Sequence, residues 1–258
     1  MPTPAVFTRR RFLSVSTGAA LATATIPSIA SAAGPTRYKA VVFDAFPIFD
    51  PRPVAKLAEE IFPNAGAVLM TAWRYRQFEY QWLHVLGGRY VDFLQATEDS
   101  LAFAARQSGL ELAPENRVRL MDAYRHLTVW PDAAENLQRL HDAGLRLGFL
   151  SNMTKAMLET GLANAKLRHL FEHLLSTDQL QTYKPAPAAY QMALDAFQLS
   201  RPEILFVAFA GWDVAGSKWF GYPTFWANRA GSPAEELGAT PDGTGQDLHA
   251  LVKFALDA

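Results

Sequence analysis

The chain has no cysteine in its 258 residues. That excludes disulfides, thiolate nucleophiles and Cys-ligated zinc together. It also suits an oxidising compartment, where a free thiol is a liability. Positive charge is not in excess. The 24 basic residues face 25 acidic ones, a net −1 with a pI of about 6.6. A nucleic-acid binder would carry a basic face, and this composition does not supply one. Six histidines are scattered as His84, His126, His141, His169, His173 and His249. None has a metal-ligand spacing such as H-E-x-x-H, so they read as structural or surface residues. Past residue 32 there is no internal repeat and no low-complexity block. What remains is a packed composition, half hydrophobic and 12% aromatic. It fits one large domain, or a domain carrying an insertion.

The first 32 residues stand apart. Thr8-Arg9-Arg10-Arg11-Phe12-Leu13 precedes a weakly apolar stretch from Val15 to Ile29, followed by Ala30-Ser31-Ala32. A charged segment, an apolar segment and a small-residue cleavage site make a secretory signal. The paired arginines before Phe-Leu are those of a twin-arginine signal, which predicts a periplasmic protein exported already folded. The apolar segment is too short and too rich in Ala, Thr and Gly for a membrane span, so no membrane anchor is expected after cleavage. Three of the 24 basic residues and no acids leave with it. The remainder carries 21 against 25, a net −4. An anionic substrate then needs local positive charge to hold it.

Strands and helices alternate along the rest. Apolar runs at 38–44, 145–150 and 204–208 read as buried strands, with a shorter one at 173–176. Helices are expected over about 131–141, 154–164, 187–197 and 214–220, with Gly144 a stop for the first. Pro223 to Trp226 reads as the last strand before an irregular tail, and the Gly/Pro/Thr-rich residues 231–246 as a surface loop. Residues 51–128 differ. They carry helix-period segments and no convincing strand, so they read as a helical insertion after the first strand. The pattern predicts an α/β core with a parallel sheet over 38–50 and 129–258, interrupted by a helical subdomain over 51–128.

In such sheets ligands bind at the carboxyl ends of the strands. Four residues fall there: Asp44 after the first run, Ser151 after the second, Lys184 in Tyr183-Lys184-Pro185, and Asp213 after the run at 204–208. Alone, Asp44 reads as a turn residue or as a carboxylate nucleophile. Ser151-Asn152 is good turn chemistry as well as a pair of hydrogen-bonding groups. Lys184 is a surface lysine or a buried cation. Tyr190 is a core aromatic or a site residue.

The order and identity of these residues resemble the haloacid dehalogenase superfamily. The run Trp73-Arg74-Tyr75-Arg76-Gln77-Phe78-Glu79-Tyr80-Gln81-Trp82-Leu83 is similar to the cap-helix motif of its L-2-haloacid dehalogenase branch. So is Gly88-Arg89-Tyr90-Val91-Asp92-Phe93-Leu94-Gln95-Ala96-Thr97-Glu98-Asp99. The resemblance runs from about Tyr38 to the C-terminus. It implies a helical cap over a Rossmann-like core and hydrolysis of short (S)-2-haloacids through an aspartyl ester. Asp44 would be the nucleophile and Arg74 the cation facing it. Asn152 would donate to the halide, with Phe93 and Trp212 as walls. Ser151 and Lys184 would hold the substrate carboxylate, beside Tyr190, and Asp213 would orient water. The implied partners are a haloacid, a halide ion and a second copy of the chain, with no nucleic acid.

The superfamily's phosphatases place a second Asp two residues after the nucleophile, where this chain has Phe46, and hold Mg²⁺ with an acidic pair. Here only Asp213 stands in that region, so no metal or other cofactor is expected. The chain departs from the branch in three places. Pro47-Ile48 replaces Gly-Thr, and Ala208 and Ala210 replace Ser and Asn. Each change removes a hydrogen-bonding group, which leaves two rivals standing: a different or bulkier acid substrate, bound at the apolar Phe46-Pro47-Ile48 turn with Ala208 and Ala210, or a small-acid binder that has lost turnover.

Overall fold

A computed structural model describes residues 37–257. The proposed leader lies outside the described residues. Strand β1 (Ala40–Phe43) is buried along its whole length, as a parallel strand covered on both faces must be. It pairs in parallel with β4 (Arg146–Ser151) on one side and β6 (Ile204–Ala208) on the other. With β5 (Phe171–Ser176), β7 (Thr224–Ala227) and β8 (Gly243–Gly245), the sheet order is β5-β4-β1-β6-β7-β8. Every pairing in it is parallel. β1 is the point where the order reverses, so the crevice beyond its carboxyl end is where a ligand site is expected.

The strand's period of two divides the core. Ala40 and Val42 pack with Tyr190, Ala193 and Phe197 of α7 (Pro187–Phe197) and Val214 of α8 (Gly211–Phe220). Val41 and Phe43 face the other way. They share a cluster with Leu137 of α5 (Ala133–Asp142), Leu158 of α6 (Lys155–Asn164) and Leu251 of α9 (Leu248–Leu256). Helices therefore cover both faces, as right-handed crossovers require.

Between β1 and α5 the chain makes a two-residue ladder, β2 (Phe49–Asp50) antiparallel to β3 (Thr128–Val129). Four helices fill the interval: α1 (Arg52–Ile61), α2 (Gly66–Leu86), α3 (Phe93–Gln107) and α4 (Pro114–Arg125). Pro sits in the first turn of α1 and of α4, where its missing N–H costs nothing. Asp92 caps α3 by accepting from the Gln95 N–H. The Trp73 indole N–H donates to the Thr97 carbonyl at 2.8 Å, and Gln77 Nε2 donates to Thr97 Oγ1, so α2 and α3 are joined by buried bonds.

The tail after Trp226 is irregular only up to residue 242, where the expected surface loop lies. β8 extends the sheet and α9 closes one face of it. Asp247 caps α9, and Leu248, Leu251, Val252 and Ala255 are buried at helical spacing. The expectation failed at β8 because Gly-Thr-Gly has no apolar alternation to read. Phe254 and Phe225 lie where a Cβ at Gly243 would go, so close packing selects glycine in a strand that propensity disfavours. Helix α8 also begins three residues before its expected start, which puts Asp213 in its first turn.

Candidate active site

The carboxylate of Asp44 emerges from the end of β1 and meets Lys184. Lys184 Nζ donates to Asp44 Oδ1 at 2.9 Å and to Asp213 Oδ2 at 2.5 Å. The Tyr190 hydroxyl donates to the other oxygen, Asp213 Oδ1, at 2.7 Å. The second oxygen of Asp44 accepts from the Phe46 backbone N–H at 3.2 Å. One cation thus serves two carboxylates in a place where Lys184 is 0% and Asp213 1% exposed. Tyr190 settles its two readings by satisfying both. It is buried in the core and bonded to the site. Gly216 makes that reach possible, since a Cβ there would collide with the Tyr190 hydroxyl.

Burial pulls the Lys184 ammonium down, but Asp213 and Asp44 together outweigh it and leave the group raised, hence charged. Burial pushes the Asp213 carboxyl up to about 6. Lys184 opposes that rise and the like charge of Asp44 adds to it. Two acids sharing one cation in low dielectric cannot both be fully compensated. Burial, followed by the charge of Asp213, raises Tyr190 well above its ordinary value, so it serves as a neutral donor.

Ser151 ends β4 with its Oγ accepting from the Met153 N–H at 3.1 Å. Asn152 is held on both sides. Its Oδ1 accepts from the Lys184 backbone N–H at 2.9 Å and from Thr177 Oγ1 at 3.3 Å. Its Nδ2 donates to Gln81 Oε1 at 3.0 Å. That contact runs from the core to α2. It takes one of the two amide hydrogens expected to face a halide. Asp44, Phe46, Phe93, Ser151, Asn152, Trp212 and Asp213 line one chamber, of about 10 Å³. Such a volume is at the limit for a single water.

Arg74 is placed elsewhere. It is exposed, its guanidinium lies 5.3 Å from the centre of the Phe209 ring, and it lines a larger adjoining cavity of about 250 Å³. Phe46, Phe78 and Phe209 line both spaces. Phe46 and Phe209 stand together with ring centres 5.4 Å apart. The three apolar departures lie close by. Ile48 and Ala208 are fully buried, and the Ala210 carbonyl accepts from the Asp213 N–H at 3.0 Å.

Three supporting residues escaped the sequence reading. The Trp130 indole N–H donates to the Phe46 carbonyl at 2.9 Å. Arg229 donates through Nε and Nη2 to the Pro47 carbonyl, at 3.1 and 2.7 Å. Arg229 also stacks on Trp130 and pairs with Asp132 at 3.1 Å, and Asp132 accepts from the Leu248 N–H that opens α9. The turn carrying the candidate nucleophile is therefore tied to the tail helix. An arginine after a strand and a tryptophan before a Pro-Asp gave no local signal of that role.

A parallel sheet with a buried Asp–Lys–Asp cluster at its switch point, interrupted after β1 by a helical insert, defines an α/β protein with a candidate carboxylate site. Comparisons with known proteins narrow the class. A family model for haloacid dehalogenase-like hydrolases matches residues 36–221. The (S)-2-haloacid dehalogenase of Pseudomonas sp. (strain YL) is 41% identical over 217 residues, covering 84% of this chain and 94% of that one. The crystal structure of the L-2-haloacid dehalogenase RSc1362 superposes with a TM-score of 0.83 at 40% identity, covering 86% of this chain and 100% of that one. The Xanthobacter autotrophicus L-2-haloacid dehalogenase with chloropropionic acid covalently bound gives 0.76 at 32%, covering 84% and 98%. The chain belongs to the haloacid dehalogenase-like hydrolases, in the L-2-haloacid dehalogenase family.

Proposed function

We infer that this protein hydrolyses short (S)-2-haloacids to (R)-2-hydroxyacids, and that residues 51–128 act as a cap over the core. Asp44 attacks C2 of the acid from the side opposite the carbon–halogen bond. The new C–O bond forms as the halide leaves, with inversion, and the product is an aspartyl ester. Water then adds to the ester carbonyl. It returns the Asp44 carboxylate and releases the hydroxy acid and a proton. Lys184 orients Asp44 through the hydrogen bond to its Oδ1, and with Ser151 it binds the substrate carboxylate. Asp213, positioned by Tyr190, orients the water. Asn152 and Arg74 receive the halide, against Phe93 and Trp212. For that role Arg74 must turn past Phe209 towards Asp44 when substrate binds.

The observation that carries this reading is Lys184 Nζ within hydrogen-bond reach of both carboxylates at the end of β1. A relative whose structure contains covalently bound chloropropionic acid supports the ester step. No metal or organic cofactor is required. Phe46 stands where the superfamily's phosphatases carry a second acid, so the proposed steps use none. Export through the twin-arginine route rests on Arg9-Arg10-Arg11 and Ala30-Ser31-Ala32. An uncleaved, cytoplasmic product in fractionated cells would sink it. Homodimer formation through α2 fits its exposed Leu83 and Leu86, 55% and 84% accessible. Sedimentation at the protomer mass would count against it.

The reaction itself is tested by following halide release from each enantiomer of 2-chloropropanoate, with chelator present, over many enzyme equivalents. Sustained release from the (S) form alone is expected. A burst of about one halide per protein would mean alkylation without ester hydrolysis. No release would favour the small-acid binder.

A further inference from the structure

The chamber at Asp44 and the cavity beside it are mismatched in size. The chamber has room for about one water, while the cavity measures about 250 Å³. The two spaces share aromatic lining residues. Phe46, Phe78 and Phe209 line both spaces. Rings that separate adjoining cavities can rotate to join them, whereas a backbone partition could not.

Few polar groups in the cavity are left without a partner. Gln77 is held at both ends of its amide, by Thr97 and by the Tyr124 hydroxyl. The Trp73 indole is bonded to the Thr97 carbonyl. Arg52 is committed to Asp50 through three hydrogen bonds and stacks on Trp130. Thr71 donates within its own helix, to the Ala67 carbonyl. The deep wall is therefore apolar and largely aromatic, with Trp73 and Tyr124 rings 5.5 Å apart behind the partition. Such a wall gains edge and face contacts from another ring and nothing from a polar substituent. The mouth opens to solvent past Arg52, Thr71 and Arg74, all exposed.

We propose that this cavity is a subsite for an aryl substituent on C3 of the acid, so that the preferred substrates are 2-halo-3-arylpropanoates. The idea rests on the dehalogenase reading and names the substrate class that this chain's own residues select. The reacting carbon stays at Asp44. The ring passes between Phe46 and Phe209 once they swing apart, and packs against Phe78 and Trp73. Arg74, already over the Phe209 face, lies beside the ring's path.

The test separates the subsite from the chemistry. Binding is measured calorimetrically with two inert acids, propanoate and 3-phenylpropanoate, on the protein and on two variants that fill the cavity from opposite walls. These are Ala55→Phe on α1 and Thr71→Phe on α2. Both positions are partly open to solvent, so the fold tolerates them. 3-Phenylpropanoate is expected to bind at least about tenfold tighter than propanoate, and each variant to erase most of that gap. Equal binding of the two acids, or a gap that both variants leave intact, overturns the subsite. Bromide release from (S)-2-bromopropanoate by the unaltered protein is scored separately. No release from it or from (S)-2-bromo-3-phenylpropanoate, with the binding gap present and lost in the variants, would refute the dehalogenase reading and leave an aryl-acid subsite standing.

Discussion

The two sides of Asp44 are built on opposite principles. Beneath it lies a charged floor of Lys184, Asp213 and Tyr190, buried and bonded pairwise at 2.5–2.9 Å. Above and beside it is a roof of the Phe46, Phe78 and Phe209 rings, whose side chains are held by packing, with Phe78 and Phe209 partly open to solvent. The floor has one arrangement, because every change of partner strands a charge in low dielectric. The roof has several, because rings in contact exchange one packing for another at small cost. A site made this way keeps its reacting atoms fixed while its substrate boundary is free to drift. Ile48, Ala208 and Ala210 are apolar replacements, yet the bonds among Asp44, Lys184, Asp213 and Tyr190 are complete without them.

The comparison is broken most forcefully by Lys184→Met. The substitution removes the shared cation and leaves two buried acids facing each other. Turnover should fall by about a hundredfold to a thousandfold. Stability at neutral pH should fall by about 3–5 kcal/mol, the range for a buried pair that loses one partner. Urea unfolding checks the second figure. Adding Asp213→Asn to the variant should restore some of the loss, because one of the stranded charges is then gone. A Lys184→Met protein as stable as the parent would mean that the floor is not the rigid element.

A smaller effect tests the sharing of one cation between two acids. The Asp213 carboxyl is raised to about 6 by burial, against the pull of Lys184. A raised acid pKa favours the protonated form in the fold. Its contribution to stability is therefore present at low pH and is lost as pH rises through about 6. In the proposed mechanism catalysis runs the other way, since only the ionised group would orient water. The turnover rate should climb through an acid limb near that value and lose about tenfold for each pH unit below it. A profile flat across about pH 5 to 8 would show that Asp213 does not gate the hydrolytic step.

The floor was legible in the sequence and the roof was not. Asp44, Lys184 and Asp213 each follow a strand or turn whose local pattern marks the sheet's carboxyl edge, so topology alone brings them together. The helical insert was legible from its 3.6-residue period. Other contacts depended on pairs far apart in the chain. Gln81 meets Asn152 across 71 residues, and Arg229 reaches Pro47 across 182. No local pattern encodes such distances. Arg74 shows the same limit. Its motif was readable, but its side chain lies over Phe209 in the adjoining cavity, a rotameric choice set by tertiary packing. The tail is different, because some of its signal was present. Asp247 followed by Leu248, Leu251, Val252 and Ala255 is a capped amphipathic helix. The glycines before it resemble a loop and mask that pattern.

The smallest expected effect sharpens the contrast from the roof. Phe209→Leu removes one ring of the partition and keeps an apolar side chain of fair size. It should change stability by less than about 1.5 kcal/mol, because the neighbours are rings and long side chains that can repack. Turnover of (S)-2-chloropropanoate should stay within about threefold, since no bond of the floor involves Phe209. The consequence lies in selectivity. With Phe209 gone the partition is permanently thinner, and the advantage of an aryl acid over a small one should grow. Halide release from (S)-2-chloropropanoate and from (S)-2-chloro-3-phenylpropanoate, measured side by side, decides the matter. If the small substrate loses as much as it does in Lys184→Met, the ring belongs to the catalytic scaffold, and the division between a fixed floor and an adaptable roof fails at its weakest point.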